Sequence, residues 1–201
     1  MKIHNLQQGT DEWFDVRKGK MTASNAYTIS VAGKGLDTYV KTIVADIFAS
    51  QKEESYKSKA MERGNELEAQ ARSIYELSND VDIEEVGFIE YSEFVGCSPD
   101  GLINDDGGIE IKCINNKDYF QLLLDEEKPD VSHIWQVQMC LMLTGRKWWD
   151  LVYYNPNFKQ STYITRLFPE IDRFEKLKVG LSIGEEKIKE LVKKYNNLII
   201  K

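Results

Sequence analysis

The stretch that most constrains this chain is Gly96 to Cys113, reading GCSPDGLINDDGGIEIKC. It places Asp100 in a tight Pro-Asp-Gly turn, followed by an Asp-Asp-Gly-Gly turn and then Glu110-Ile111-Lys112. Side chains alternate across a strand, so Glu110 and Lys112 face one way and Ile111 the other. A hairpin through Asp105–Gly108 brings Asp100 back beside that strand. Two carboxylates and one ammonium then share a small volume. Hard divalent cations take such oxygen ligands, and Mg2+ commonly uses one or two carboxylates plus substrate phosphate. A lysine beside such an ion can position the attacking water or help to remove its proton. The pattern predicts phosphodiester hydrolysis. The plainer alternative is an ordinary hairpin carrying an exposed Glu-x-Lys. Ile109, Ile111, Cys113 and Ile114 weigh against it, because they predict a buried strand whose charges need a partner or a metal.

The chain has 201 residues, 42% hydrophobic and 29% charged, enough for one soluble domain with a sizeable core, spanning 1–201. No apolar run is long enough to span a membrane. The N-terminal MKIHNLQQGT lacks the apolar core of a signal peptide, so an intracellular protein is expected. Cys97, Cys113 and Cys140 form no CxxC pair, which excludes a zinc knuckle or iron–sulfur pattern and predicts buried, reduced thiols. The net charge of −7 is unevenly spread: +2 over residues 1–60, −14 over 61–130 and +5 over 131–201. An acidic middle between basic ends suits a metal centre with phosphate contacts nearby, and equally an ordinary acidic surface.

Early in the chain, Thr10 or Asp11 caps a short helix through Arg17. Arg17-Lys18-Gly19-Lys20 is a basic turn, and Met21-Thr22-Ala23-Ser24 is expected to open the next helix. Helix N-termini bind phosphate, and Arg, Ser and Thr add donors. The alternative there is a solvated turn and a simple cap. Apolar spacing predicts helices over 36–48 and 60–77, joined by a polar loop over 51–59. Glu68, one position after Leu67, is either a boundary residue or a group facing the metal site. Val81–Tyr91 reads as one strand and Phe94–Cys97 as the start of the next. A short helix follows over Asp118–Leu124, then an acidic loop over Asp125–Asp130. Ser132 is expected to cap a helix ended by Gly145. Gln136 and Gln138 lie on that helix, where one faces the site or both are surface groups. Strands follow over Trp148–Tyr154 and Ser161–Phe168. A long helix from Pro169 to Leu198 is expected, with a break around Gly180–Gly184.

This order predicts an α/β fold, a central mixed sheet flanked by helices. The motifs also carry a family resemblance. Ser98-Pro99-Asp100-Gly101-Leu102 with Glu110-Ile111-Lys112-Cys113 resembles the signature of the phage lambda exonuclease-like, YqaJ-type viral recombinases of the PD-(D/E)xK nuclease superfamily. Gly9-Thr10-x-Glu12-Trp13, Arg17-x-Gly19-x-x-Thr22-Ala23-Ser24, Arg63-Gly64-Asn65-Glu66-Leu67-Glu68-Ala69 with Arg72, and Trp135-Gln136-Val137-Gln138 are similar to its other motifs, in the same order. The last helix matches least, and the tyrosine that some relatives carry after the glutamine is Met139 or Cys140 here.

The resemblance implies a restriction-endonuclease-like core and a Mg2+-dependent 5′→3′ exonuclease acting on double-stranded DNA ends, with Mn2+ able to substitute. Asp100, Glu110 and the backbone carbonyl of Ile111 would hold the metal. Lys112 would orient or activate water, Glu68 would support the metal site, and Gln136 would contact the reacting phosphate or water. Arg17, Ser24 and Ser98 would bind the terminal 5′-phosphate. A homotrimeric ring, a single-strand annealing protein as partner and the cytoplasm of a bacterial host are implied in the same way. The same core also serves structure-specific or restriction-type endonucleases and could persist as a non-catalytic DNA-end-binding module. The Arg17/Ser24 pair speaks against the first, and the intact Asp-Glu-Lys set against the second.

Overall fold

The computed structural model describes residues 1–50, 59–124 and 129–199. In chain order they form β1 (Lys2–His4), α1 (Asp11–Arg17), β2 (Met21–Thr22), α2 (Ala26–Val31), α3 (Lys34–Phe48), α4 (Lys59–Asn79), β3 (Ile83–Glu84), β4 (Phe88–Ser92) and β5 (Val95–Cys97). The second half adds β6 (Gly101–Ile103), β7 (Gly107–Cys113), α5 (Asn116–Leu124), α6 (Val131–Thr144), β8 (Trp148–Tyr154), β9 (Thr162–Leu167) and α7 (Ile171–Ile199). The polar loop expected over 51–59, apart from Lys59, and residues 125–128 of the acidic loop lie outside the described residues.

Five strands make a mixed sheet in the order β3-β6-β7-β8-β9, in which only β7 and β8 are parallel. A parallel pair needs a crossover, which α5 and α6 supply. The alternation read from the sequence decides what each face of β7 meets. Ile109 and Ile111 pack with Val152, Tyr154, Ala71 and Tyr75, on the side of α4. Glu110 pairs with Leu151 and Lys112 with Tyr153, on the side where α6 buries Trp135, Met139 and Cys140. The expected α/β fold, a central mixed sheet flanked by helices, is the fold observed.

A second sheet was not anticipated. It runs β1-β4-β5-β2, with β2 parallel to β5. Its formation corrects two expectations. Met21-Thr22 does not open a helix; it pairs with Val95 and Gly96, and a single 3-10 turn over Ala23–Asn25 leads into α2. Val81–Tyr91 is not one strand either. β3 pairs with β6 in the first sheet and β4 with β1 and β5 in the second. Gly87 lies between them, so close to the Leu6 carbonyl that any Cβ would collide with it.

Three smaller corrections concern the helices and thiols. Asp130, not Ser132, caps α6: its carboxylate accepts from the Ser132 N–H at 2.7 Å and the Ser132 hydroxyl at 2.5 Å. The last helix starts at Ile171, just after Gln138 accepts from the Glu170 N–H at 2.9 Å and donates to the Phe168 carbonyl at 2.8 Å. It runs unbroken through Gly180 and Gly184, which let it close onto α2 and β2. A Cβ at either would collide with the Ile29 carbonyl or the Met21 sulfur. Cys97, Cys113 and Cys140 form no disulfide; Cys97 and Cys140 are buried, whereas Cys113 is only half-buried.

Candidate active site

The hairpin through Asp105–Gly108 forms as expected, with Gly101 opposite Ile109 and Ile103 opposite Gly107. Arg146, beyond the end of α6, pins its turn by donating to the carbonyls of Ile103, Asn104 and Gly107 at 3.2, 2.8 and 2.6 Å. Asp100 is thereby returned to β7, where its Oδ2 accepts from the Ile111 N–H at 2.6 Å. Glu110 is 2% exposed. Its Oε1 receives the Lys112 ammonium at 2.7 Å and the Gln136 amide at 2.5 Å. Lys112 also donates to the Gln136 carbonyl oxygen at 3.1 Å, closing a three-membered network that fixes the amide orientation. Gln136 is therefore the glutamine of α6 that faces the site, while Gln138 is buried against the start of α7.

The other carboxylate oxygen of Glu110 is buried without a hydrogen-bond partner. An anionic oxygen in that state is costly unless a cation or a proton joins it. Burial, then the charge of Asp100, push the Glu110 pKa up to about 8 against the pull of Lys112. Burial also raises Asp100, opposed by Lys112 and by the Ile111 N–H. Glu68 projects from α4 within electrostatic reach of both Asp100 and Lys112, and burial followed by Asp100 raises it to about 7. Arg72, one turn further along α4, donates to Glu68 at 2.8 Å and pairs with Glu85 at 2.8 Å. Burial disfavours the Lys112 charge, but Glu110 and Asp100 outweigh it, so its pKa is raised and it stays an ammonium.

Three carboxylates thus compete for one ammonium and one guanidinium. Among the described residues, no three His, Cys, Asp or Glu side chains converge as a ready metal cage. Asp100 and Glu110 instead bring two buried carboxylates within electrostatic reach of each other, an arrangement that suits a hard ion keeping water and substrate oxygens in its shell. The orphaned Glu110 oxygen and the raised carboxylate pKa values fit such an ion.

Arg17 and Ser98 meet next to this centre. Thr10 caps α1 by accepting from the Trp13 N–H at 3.4 Å, and the helix puts Trp13 and Arg17 on one face four residues apart. The Arg17 guanidinium lies 4.0 Å over the Trp13 ring and donates to the Ser98 hydroxyl at 2.5 Å. Trp13 donates to the same hydroxyl at 3.1 Å. Ser98 is two residues before Asp100, so the guanidinium is tied directly to the acidic centre. On its other side Arg17 lines a cleft of about 580 Å3 together with Thr22, Ser24, Asn25 and Tyr39. Ser24 is exposed, bonds to Thr22 at 3.1 Å and shares the cleft with Arg17. Asp100, Glu110 and Lys112 are not on the cleft wall.

The contacts of Arg146 and Tyr39 could not be read from the sequence, because each is made by the fold; Arg72 had a signal in its i,i+4 spacing from Glu68, but its pairing with Glu85 is tertiary. Trp13 had a signal, its spacing of four from Arg17 in a capped helix.

Residues 12–147 match the YqaJ-like viral recombinase domain. The chain belongs to that family. The alkaline exonuclease LHK-Exo from Laribacter hongkongensis is 31% identical, with a TM-score of 0.81 over 94% of this chain and 100% of that one. LHK-Exo in complex with dAMP gives 32% identity and the same TM-score and coverage. A phage-related exonuclease from Haemophilus somnus 129PT is 13% identical over 88% of this chain and 96% of that one, and its TM-score of 0.67 shows a shared fold. No curated protein matches the chain at a significant level. The YqaJ family assignment accounts for the restriction-endonuclease-like PD-(D/E)xK core. Among the described residues, no helix is long and apolar enough to cross a membrane.

Proposed function

We propose that this protein is a single-domain, Mg2+-dependent 5′→3′ exonuclease that degrades one strand from double-stranded DNA ends. Family membership supports a nuclease. The observation that carries the finer reading is the Glu110 carboxylate, with one oxygen fixed by Lys112 and Gln136 and the other buried and unpartnered, beside the Arg17–Ser98 pair. LHK-Exo was crystallised with dAMP, a nucleoside monophosphate of the size an exonuclease releases, which supports a mononucleotide product here.

Asp100, Glu110 and the Ile111 carbonyl would hold the ion, with Mn2+ able to replace Mg2+. When bound, the ion supplies charge stabilisation to the phosphoryl oxygens and lowers the pKa of water. Lys112, held against Glu110 and Gln136, would orient or activate the attacking water and offset negative charge. Gln136 holds Lys112 and Glu110 in register and presents its amide toward the reacting group. Glu68, steadied by Arg72, supports Asp100 from α4. Arg17 and Ser98, with Ser24 across the cleft, would grip the terminal 5′-phosphate, which carries more charge than an internal phosphodiester. A trimeric ring, and delivery of 3′ single-stranded tails to an annealing protein in a bacterial cytoplasm, complete the proposal.

Digestion of 5′-phosphorylated linear, 5′-hydroxyl linear and closed circular duplexes, with and without Mg2+, tests this reading. The expected order is rapid loss of the first, slow loss of the second and none of the circle, all abolished by chelation. Cutting of the circle would mark an endonuclease, and binding to ends without any cutting a non-catalytic module.

A further inference from the structure

Asp100 precedes β6, Lys112 lies on β7 and Tyr153 on β8, and these three strands are consecutive in the sheet. Lys112 and Tyr153 are direct partners in the parallel register, so their side chains share a face. That face is covered by α6, where His133 stands one turn before Gln136. The His133 Nδ1 lies 2.8 Å from the Tyr153 hydroxyl. The same hydroxyl accepts from the Asp130 backbone N–H at 3.0 Å. With the hydroxyl accepting from that N–H, its own proton is available to Nδ1, and the tautomer that uses this bond carries the imidazole proton on Nε2. Burial, then the charge of Lys112, hold the His133 pKa down to about 4, so the ring is neutral at ordinary pH. The sequence reading gave neither His133 nor Tyr153 a role.

The Arg17–Ser98 pair lies on the Asp100 side of the centre and His133 on the opposite, β8 side. With the terminal phosphate at Arg17 and the first internal phosphate at Asp100, Glu110 and Lys112, extending the same line across the sheet leads toward β8 and His133. We propose that His133 is a substrate-contacting residue that donates its Nε2–H to the next phosphate, on the 3′ side of the reacting one. Tyr153 and Asp130 are positioning groups that fix the tautomer and aim the ring. A neutral donor suits the place, because a second cation there would be repelled by Lys112. The inference rests on the exonuclease reading and specifies which part of the DNA this edge of the site holds.

The test uses a 5′-phosphorylated duplex in which the second internal phosphodiester of the digested strand is replaced by an uncharged methylphosphonate. Release of the first nucleotide is followed in Mg2+. A hydrogen bond to a charged group corresponds to about tenfold or more in rate. Wild-type protein should be slowed about tenfold by the neutral linkage. His133→Ala should be slowed by a similar factor on the normal duplex and no further on the modified one. His133→Gln, whose amide N–H can stand in for Nε2–H, should keep most of the activity and most of the sensitivity to the modified linkage. Thermal melts of both variants guard against a folding defect, and the glutamine variant serves if the alanine variant does not fold. Slowing of His133→Ala by the full additional factor on the modified duplex would overturn the contact, as would wild-type indifference to the linkage. Failure of wild-type protein to release any nucleotide from the normal duplex would instead overturn the exonuclease reading, and the contact with it.

Discussion

Gln136 donates to Oε1 of Glu110 at 2.5 Å, and the opposite oxygen of that carboxylate is buried with no hydrogen-bond partner. The glutamine from one helix and the lysine from the strand hold the carboxylate in a single orientation, so its free edge is presented to whatever binds there. This pre-organisation is what a metal-dependent phosphodiesterase needs, and it is made entirely by residues of β7 and α6.

The end pocket makes the first prediction. Charge-assisted hydrogen bonds contribute about 1.5–3 kcal/mol each, or about tenfold to a hundredfold in rate. Arg17→Ala should lose most of the preference for 5′-phosphorylated over 5′-hydroxyl ends, mainly by slowing the phosphorylated substrate. Ser24→Ala should have a weaker effect, because a hydroxyl is a neutral donor. Equal, salt-sensitive slowing of both substrates by Arg17→Ala would show that the arginine is only a surface charge.

A second prediction concerns pH and metal. Without metal, the folded protein holds Glu110 up to about 8 and Glu68 up to about 7, whereas in the unfolded chain both fall back to the ordinary carboxylate range. The folded state therefore binds these protons more tightly. The associated stability is complete below the unfolded pKa and is lost as pH rises through the folded values. In chelator, Tm should drop by on the order of 10 °C or more between about pH 5 and pH 8.5. Glu110→Gln should flatten the decline, and Mg2+ should reverse it at high pH by replacing the protons. Identical pH profiles for wild type and Glu110→Gln would contradict the assignment.

The third prediction is structural. Asp150 is 2% exposed, accepts two bonds from Arg166 at 2.8 Å each and one from the Tyr75 hydroxyl at 2.5 Å, and so ties α4 to the sheet. Asp150→Ala strands the Tyr75 hydroxyl in the core. Arg166 is about half exposed and can turn to solvent, which limits the loss. The expected cost is about 2–4 kcal/mol, or roughly 5–10 °C in Tm. Urea melts should show it, and a change below about 0.5 kcal/mol would mean the triad is incidental.

Assembly gives the fourth. A ring of three chains should sediment at about three times 23.2 kDa and digest processively. A monomer at micromolar concentration that still digests processively would assign processivity to some other feature.

The Asp100 hairpin, the facing of Glu110 and Lys112, and most helices were legible because they follow from local periodicity and turn chemistry. Where tertiary pairing competes with local pattern, the sequence was a weaker guide. Met21-Thr22 follows a basic turn and looks like a helix start, yet its backbone is taken by β5. Val81–Tyr91 alternates like one strand, but two different sheets compete for its halves. Gly180 and Gly184 read as a break until a neighbouring carbonyl and thioether are seen against them. In the site, Gln136 could not be separated from Gln138 by spacing alone, since only the strand beneath α6 decides which one meets Glu110. His133 and Tyr153 lie 20 residues apart and meet only across that packing.

The most direct test of the central claim is single-turnover digestion of a 5′-labelled, 5′-phosphorylated duplex by wild-type protein and Lys112→Ala, with end binding measured in parallel. Wild-type protein should release the label as a mononucleotide in Mg2+. Lys112→Ala should be slowed about 10²–10⁴-fold yet still bind the end, because Lys112 is not a proposed metal ligand. Near-normal release by Lys112→Ala, or shortening of the duplex from its 3′ end with the label retained, would contradict the account.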